Sequence, residues 1–489
     1  MKRVLLSLLV GTALVACTQV RNPATGQLQY TTLSVEDERQ LGAAEHPKVL
    51  DQFGSYEDAQ ASAYVSEVGQ RLVAVSELPE QDFTFTLLDS PVINAFALPG
   101  GYVYVTRGLM ALAADEAELA GVLAHEIGHV TARHSAQRET RSTLSQGTGV
   151  AVTVLSAIFL GETAARAAAQ ASQTLVPAYV MGYSREQEFE ADELGIRYLA
   201  RAGYDPRAMA TFLARLQAES ELQAAQSGQP AEPEENIYAT HPRTLDRVAR
   251  AANEAAEQAP ERRDRAAYLA AVDGILYGDD PEQGMVIGRS FVHPGLGIRF
   301  EAPPGFRLVN TPEAVIGQRQ DGAIMKFDMG QRQTQDIPSY LQQQWPGPQS
   351  VRAVWPASVD GHEAASGLAI GKVGSRTQQA VVGAVDAGEG RVWRFLFVAP
   401  QMDQRSAGAY QQSIESLQFL SPAEAARFNG QRIQVYTVKP GDRLAGLMNT
   451  NDPAILANVR LMNGIAAGAE PEPGSRIKLV VPRQGVPEA

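Results

Sequence analysis

The chain has 489 residues, enough for about three domains at roughly 100 to 200 residues each. Hydrophobic residues make up 44% and charged residues 20%, which excludes a mostly disordered chain. Lys and Arg number 42 against 55 Asp and Glu, and the net charge of -13 argues against nucleic acid and anionic lipid as partners. The single cysteine, Cys17, excludes an internal disulfide and a zinc site made of cysteines.

The first residues are typical of a secretory signal sequence. A basic start precedes an apolar run that is shorter than the roughly 20 residues of a membrane span. The letters LVAC at 14–17 resemble a bacterial lipobox, which implies removal of residues 1–16 and attachment of lipid to Cys17. The next residue is Thr18 rather than Asp, and by the lipoprotein sorting pattern this implies the outer membrane. The alternative is a plain signal peptide with an incidental cysteine.

The segment 17–275 has mainly helical patterns. Residues 115–137 show apolar residues at helical spacing after an acidic start, and residues 184–200 form a second amphipathic pattern. A third helix is predicted from 247 to about 269. The most apolar run after Cys17, 149–161, is too short to span a bilayer, which favours a buried helix or a cover over the active site.

The second half of the chain has a different pattern. Short alternating segments in 285–422, with helices predicted near 336–345 and 404–418, indicate an α+β domain with an antiparallel sheet. Residues 433–484 read as strand, two helices and strand, and this order resembles the LysM module that binds the glycan of peptidoglycan. Arg443 stands where that pattern usually has Thr, so a small structural cap is the alternative.

The letters HEIGH inside the helix predicted at 115–137 carry the clearest chemistry. His125 and His129 are four residues apart, so they project from one face of the helix and can bind the same ion. Glu126 is rotated by about 100 degrees from His125, which allows it to take a proton from an attacking water without being a ligand. The pattern predicts a zinc site of the HExxH type.

A third zinc ligand is required, and spacing leaves it open. Position 135 is Ser rather than His, so the elongated HExxH motif is absent. His134 is nine positions after His125, which on a continuous helix points it away from the metal. The helix at 184–200 offers five acids: Glu186, Glu188, Glu190, Asp192 and Glu193. Among them, Glu188 and Asp192 share one face at i,i+4.

Three motifs in order, NAFALPGGYVYVTRGL, HEIGH and SREQEFEAD, resemble the HtpX- and BepA-type zinc metallopeptidases, relatives of the CAAX prenyl protease. The likeness covers about 30–250. It implies one Zn²⁺ per chain with Glu188 as the third ligand, and it implies that Asp192 orients a ligand histidine. It also implies a multidomain fold: a mainly α-helical zincin domain of the gluzincin type with a small β edge, then the α+β domain, then the LysM-like βααβ domain.

The resemblance implies two further sets of residues. In the segment YATHPRTLDR, His241 would approach the zinc as a fourth ligand that keeps the enzyme latent, and Arg247 would orient the site or stabilise the oxyanion. A surface histidine and arginine at a helix start are the alternative. The segment NAFALPGG would bind an extended substrate along its edge, although its glycines are also explained by a turn. The residues of this edge are Asn94, Ala95, Phe96, Gly100 and Gly101.

The expected function is that of a zinc metalloendopeptidase held by lipid at the periplasmic face of the outer membrane. By resemblance, its substrates are misfolded, stalled or misassembled envelope proteins. The LysM-like module would add peptidoglycan as a partner, and no nucleic acid is expected. Two other functions stay open: a cell-wall-binding chaperone or scaffold with a latent metal site, and a hydrolase of the peptidoglycan peptide.

Overall fold

The structure is a computed structural model, and it describes residues 18–138, 183–227, 245–256, 262–311, 314–346, 351–373 and 376–482. Several predictions from the sequence lie outside these residues. They concern the signal peptide, Cys17, the apolar run at 149–161 and His241. Within the described part of the chain, none of the helices has the length and apolar character that crossing a membrane requires.

Helices make up most of the described residues before 276. Those described are α1 (Val35–Phe53), α2 (Ala59–Val73), α3 (Arg107–Leu112), α4 (Glu116–Thr131), α5 (Arg185–Arg201), α6 (Ala208–Ser227), α7 (Leu245–Ala256) and α8 (Arg265–Val272). The single helix predicted from 247 to 269 was wrong, because the described residues just before α8 are not helical. There, Arg262 forms a parallel bridge with Tyr204.

Two small β structures accompany these helices. The strands are β1 (Thr18–Arg21), β2 (Leu28–Thr31), β3 (Thr84–Leu88), β4 (Ala95–Leu98) and β5 (Tyr102–Thr106). Strands β1 and β2 form an antiparallel hairpin. The other three form a sheet in the order β3-β5-β4, in which β5 is parallel to β3 and antiparallel to β4. The segment NAFALPGG therefore contains the strand β4, at the edge of this sheet.

Helix α4 is buried along almost its whole length. Asp115 caps its start by accepting a hydrogen bond from the backbone of Glu118. Leu119, Leu123 and Ile127 are fully buried and belong to one apolar core with residues of α2, α5 and α6. The metal motif is consequently carried by the most enclosed helix of this region.

The middle region contains two antiparallel sheets, in agreement with the predicted α+β pattern. The first sheet consists of β10 (Arg307–Asn310), β11 (Val315–Gln318), β12 (Ile324–Gln331), β13 (Val351–Val359), β14 (His362–Val373), β15 (Arg376–Gly388) and β16 (Arg391–Val398). The second consists of β7 (Met285–Ile287), β8 (Ser290–His293), β9 (Ile298–Glu301) and β17 (Gln418–Phe419). The seven strands of the first sheet pair in the order β10-β11-β12-β16-β15-β14-β13, and the four of the second pair in the order β17-β9-β8-β7. The helices are α9 (Ile337–Gln343), α10 (Gln404–Glu415) and α11 (Pro422–Ala425).

The last region has the predicted order of strand, two helices and strand; its likeness to LysM stays a prediction. Its elements are β18 (Gln431–Thr437), α12 (Leu444–Leu447), α13 (Pro453–Asn463) and β19 (Arg476–Pro482). Strands β18 and β19 are antiparallel, and β6 (Leu276–Tyr277) pairs with β18 as a third strand. We call residues 431–482 the C-terminal module.

The C-terminal module is packed against the helical region near the start of α4. Lys478 is fully buried, and its Nζ donates to the backbone oxygens of Ala111 and Ala113 at 2.6 and 2.5 Å. Burial holds the pKa of Lys478 well below its ordinary value. Ile433 and Met462 belong to the same apolar core as α4. The C-terminal module therefore shares an apolar core with the helical region and is not a separate domain joined only by a linker.

Candidate metal centre and active site

Close packing of α4 on α5 brings the predicted metal-binding residues together. A Cβ atom added at Gly128 would lie 3.1 Å from the backbone oxygen of Ala191, and one at Gly195 would lie 3.2 Å from the backbone nitrogen of His125. Both positions need glycine because the two backbones approach so closely. Ser184 and Gln187 form a capping box that fixes the start of α5. The first turn of this helix carries the acidic residues Glu186 and Glu188.

Among the described residues, one cluster of side chains can bind a metal ion, and it consists of the buried residues His125, His129 and Glu188. The Nε2 atoms of the two histidines are 3.0 Å apart. Oxygens of Glu188 lie 3.6 Å from Nε2 of His125 and 3.5 Å from Nε2 of His129. Ligands about 2.0 to 2.1 Å from a tetrahedral zinc ion are separated by about 3.3 Å from one another. The donor atoms and their spacing therefore fit zinc.

Asp192 and Arg247 surround two of these three residues. Oδ1 of Asp192 is 2.9 Å from Nδ1 of His125, the ring nitrogen opposite the metal site. Arg247 donates to both oxygens of Asp192 at 2.7 and 2.8 Å, and its Nη1 is 2.6 Å from Oε2 of Glu188. Burial alone would raise the pKa of Asp192, but the charge and hydrogen bonds of Arg247 hold it below its ordinary value. Of the two roles considered for Arg247, this geometry favours orienting the site, because the guanidinium faces carboxylates.

Glu126 and Tyr183 complete the buried surroundings of His129. Glu126 is fully buried on α4. The ring of Tyr183 stacks on His129 with centroids 3.9 Å apart, and its hydroxyl is 3.1 Å from Oγ of Ser135. Burial raises the pKa of Tyr183 to about 12, with smaller contributions from the charges of Glu126 and Glu188. Reasoning from the sequence missed Tyr183, whose only mark is its place just before the start of α5.

The continuous helix predicted to residue 137 was wrong, although His134 stays outside the metal-binding cluster. A continuous helix to residue 137 would turn His134 away, but α4 ends at Thr131. Arg133 then takes a left-handed conformation with φ of 57°. This turn brings Nδ1 of His134 to 2.8 Å from Nδ1 of His129.

Residues of the predicted substrate edge and one of the metal-binding histidines line a common cavity. Ala95 and Phe96 are in β4 and buried, as is Asn94 just before it. A cavity of about 60 Å³ is lined by both Gly100 and His129. Gly100 and Gly101 have φ of 84° and 97°, so the turn requires glycine whatever the segment binds.

A buried pair of histidines one helical turn apart, a carboxylate from a second helix and a glutamate inside the HExxH motif define a metallopeptidase site. The family comparison agrees. Residues 59–255 match Peptidase family M48, and they form an M48 metallopeptidase domain of the HtpX and BepA type. The expected family and its use of zinc are confirmed.

Several curated relatives match between two fifths and half of the chain. The beta-barrel assembly-enhancing protease of Escherichia coli (strain K12) is 33% identical over 241 residues, covering 49% of this chain and 48% of the relative. The protein of that name from Yersinia pestis is 35% identical over 242 residues, with coverage of 49% and 48%. Mitochondrial metalloendopeptidase OMA1 of Schizosaccharomyces pombe (strain 972 / ATCC 24843) is 30% identical over 204 residues, with coverage of 40% and 57%.

The chain spans about half the length of the beta-barrel assembly-enhancing proteases it matches. Among solved structures, cyanobacterial PsbP of Synechocystis sp. PCC 6803 covers 27% of this chain and 91% of its own at 10% identity. Its TM-score is 0.21, which carries no conclusion about fold or function.

Proposed function

We propose that the protein is a zinc metalloendopeptidase that degrades misfolded or stalled proteins of the cell envelope. The observation that carries the proposal is the buried group of His125, His129 and Glu188, with the two carboxylates of α5 held by Arg247. Burying several charged groups costs free energy of desolvation unless the groups bind an ion or one another. The match of residues 59–255 to Peptidase family M48 supports the same function.

The residues of the chain have separate roles in this reaction. His125, His129 and Glu188 would hold the zinc, and bound zinc supplies a Lewis acid that polarises the peptide carbonyl and acidifies the attacking water. Glu126 accepts the proton of that water and passes it to the nitrogen of the departing peptide. Asp192 accepts the Nδ1 proton of His125, which leaves Nε2 free to bind the metal. Arg247 holds Glu188 and Asp192 in place and is a positioning residue.

The substrate would lie along the edge of β4. Strand β4 pairs with β5 on one side only, within the described residues, so its other side has the hydrogen-bonding groups that an extended peptide can use. A cavity lined by both Ala97 of this strand and His129 supports this placement of the substrate. An extended, unfolded segment fits such a site, whereas a folded domain does not present its backbone in this form.

The location and further partners follow from the rest of the sequence. The lipobox-like segment ending at Cys17 supports lipid anchoring at the periplasmic face of the outer membrane. The name of the relatives, beta-barrel assembly-enhancing protease, supports a task in the envelope. The C-terminal module would bind peptidoglycan and bring the peptidase domain to the cell wall. His241 would act as a latch on the zinc in the resting enzyme.

Cleavage by the purified mature chain tests this function. An unfolded outer-membrane β-barrel protein and purified sacculi are incubated in parallel with the zinc-loaded protein. We expect the barrel protein to be cut, the cutting to stop with a chelator and to return with zinc. Cleavage of the sacculi alone would instead support a peptidoglycan peptide hydrolase.

A variant of the proposed latch separates a latent peptidase from a scaffold. His241→Ala should increase cleavage of the unfolded protein if His241 competes with the attacking water. If neither the wild type nor His241→Ala cleaves while both bind zinc, the metal site is structural and the scaffold function is favoured.

A further inference from the structure

His134 contacts His129 but is not one of the three residues that can bind the metal ion. Its Nδ1 atom is 2.8 Å from Nδ1 of His129, and its Nε2 atom is 3.2 Å from Oε2 of Glu190. His134 is 0% exposed, whereas 31% of the Glu190 side chain is exposed. We propose that His134 is a positioning residue, which with Glu190 fixes the ring orientation and the tautomer of His129 for zinc binding. The inference rests on the proposed zinc site.

The hydrogen-bonding capacity of the two rings determines the direction of each bond. Nε2 of His129 faces the other metal-binding atoms, so it must be unprotonated to bind an ion, and the neutral ring carries its proton on Nδ1. That proton is donated to Nδ1 of His134. His134 then carries its own proton on Nε2 and donates it to the carboxylate of Glu190. One tautomer of each ring satisfies the whole set.

The two metal-binding histidines thus reach a carboxylate in different ways. His125 donates directly to Asp192, the arrangement that metal-binding histidines commonly have. His129 reaches Glu190 through a second imidazole. An apolar side chain at position 134 would remove the acceptor for the Nδ1 proton of His129 in a place that excludes water.

The backbone takes an unfavourable conformation to deliver His134. Arg133 has φ of 57°, which costs free energy for any residue with a side chain. The turn is held by a buried ion pair in which Nε of Arg133 is 2.7 Å from Oε2 of Glu38 in α1. Asn22, at the β1–β2 hairpin, donates to the backbone oxygen of Ala132 at 3.3 Å. The segment before α2 therefore braces the turn that places His134 on His129.

Zinc affinity of the full mature chain tests the proposal without measuring peptidase activity. His134→Leu and His134→Asn are compared by competition with a chromophoric zinc chelator, because Asn can place an acceptor where Nδ1 of His134 lies and Leu cannot. His362→Ala is the control, since His362 stacks on Phe419 in the middle region. We expect His134→Leu to bind zinc about 10 to 100-fold more weakly, as for other residues that orient metal ligands. Asn should recover most of this loss, and the control should match the wild type.

Equal zinc affinity of His134→Leu, the control and the wild type would overturn the proposal. Equal weakening by Leu and Asn would also overturn it, since the position would then serve packing only. If the His134 variants do not fold, Glu190→Leu, which removes the acceptor on this partly exposed side chain, takes their place, and it must weaken zinc binding. A wild type that binds no zinc would instead refute the proposed function, so the two failures are distinguishable.

Discussion

Replacing Arg247 by Met should destabilise the metal-free protein far more than a matched change on the same helix. The guanidinium of Arg247 makes three contacts of 2.6 to 2.8 Å with Glu188 and Asp192, and all three side chains are at most 6% exposed. Removing one partner of such a buried ion pair costs about 3 to 5 kcal/mol, because the remaining charges stay buried without compensation. Met preserves the length and much of the volume of the side chain.

The matched control is Arg250→Met. Arg250 is on α7 with Arg247, but its side chain is 48% exposed and its ion pair with Glu254 is open to water. Surface pairs of this kind contribute about 0 to 1 kcal/mol. The expected free energies of unfolding therefore differ by at least about 2 kcal/mol between the two variants.

Urea unfolding followed by far-UV circular dichroism measures this difference, since the helices of the metallopeptidase domain dominate that signal. The protein is kept in a chelator, because bound zinc would neutralise part of the charge on Glu188. Adding zinc should restore part of the stability lost in Arg247→Met. Equal stabilities of the two variants would refute the assignment of Arg247 as the counter-charge of the site.

Three other predictions test separate parts of the account. Burial alone would raise the pKa of Glu118, but the hydrogen bonds and charge of Arg215 hold it below its ordinary value. This stabilisation is complete above the unfolded pKa and is lost as pH falls through the folded one, so Glu118→Gln should cost about 3 kcal/mol at pH 7 and progressively less as pH falls below the ordinary pKa of a glutamate, in paired unfolding curves. The zinc-free protein should have a free energy of unfolding about 4 kcal/mol lower than the protein in free zinc at about 1,000 times Kd. An unchanged melting curve would argue against a zinc site in the folded core. Cys17→Ala should move the protein from the outer-membrane fraction to the soluble fraction; retention there would argue against a lipid anchor.

The metal-binding helices were predictable because their signals are local. The spacing of His125 and His129 determines a shared face, and the acidic start of α4 and the capping residues of α5 mark where the helices begin. The i,i+4 spacing also placed Glu188 and Asp192 on one face. It could not choose the ligand among the acids of α5, and the family resemblance was needed for that choice.

Contacts between distant parts of the chain were not predictable. The left-handed turn at Arg133 depends on Glu38, which is 95 residues away, so the orientation of His134 could not be read from helical spacing. Lys478 in a short strand reads as an exposed residue, yet it is buried against the end of α3. The shared contact of Arg247 with both acids likewise depends on how α7 packs on α5.

The central claim is that zinc and Glu126 together carry peptide cleavage. It is tested most directly by measuring zinc content and cleavage of an unfolded outer-membrane protein for the wild type and Glu126→Gln. We predict one zinc per chain in both proteins and a loss of cleavage of about 10² to 10⁴-fold in the variant, the usual contribution of a general acid and base. Cleavage by zinc-loaded Glu126→Gln at the wild-type rate would contradict the account.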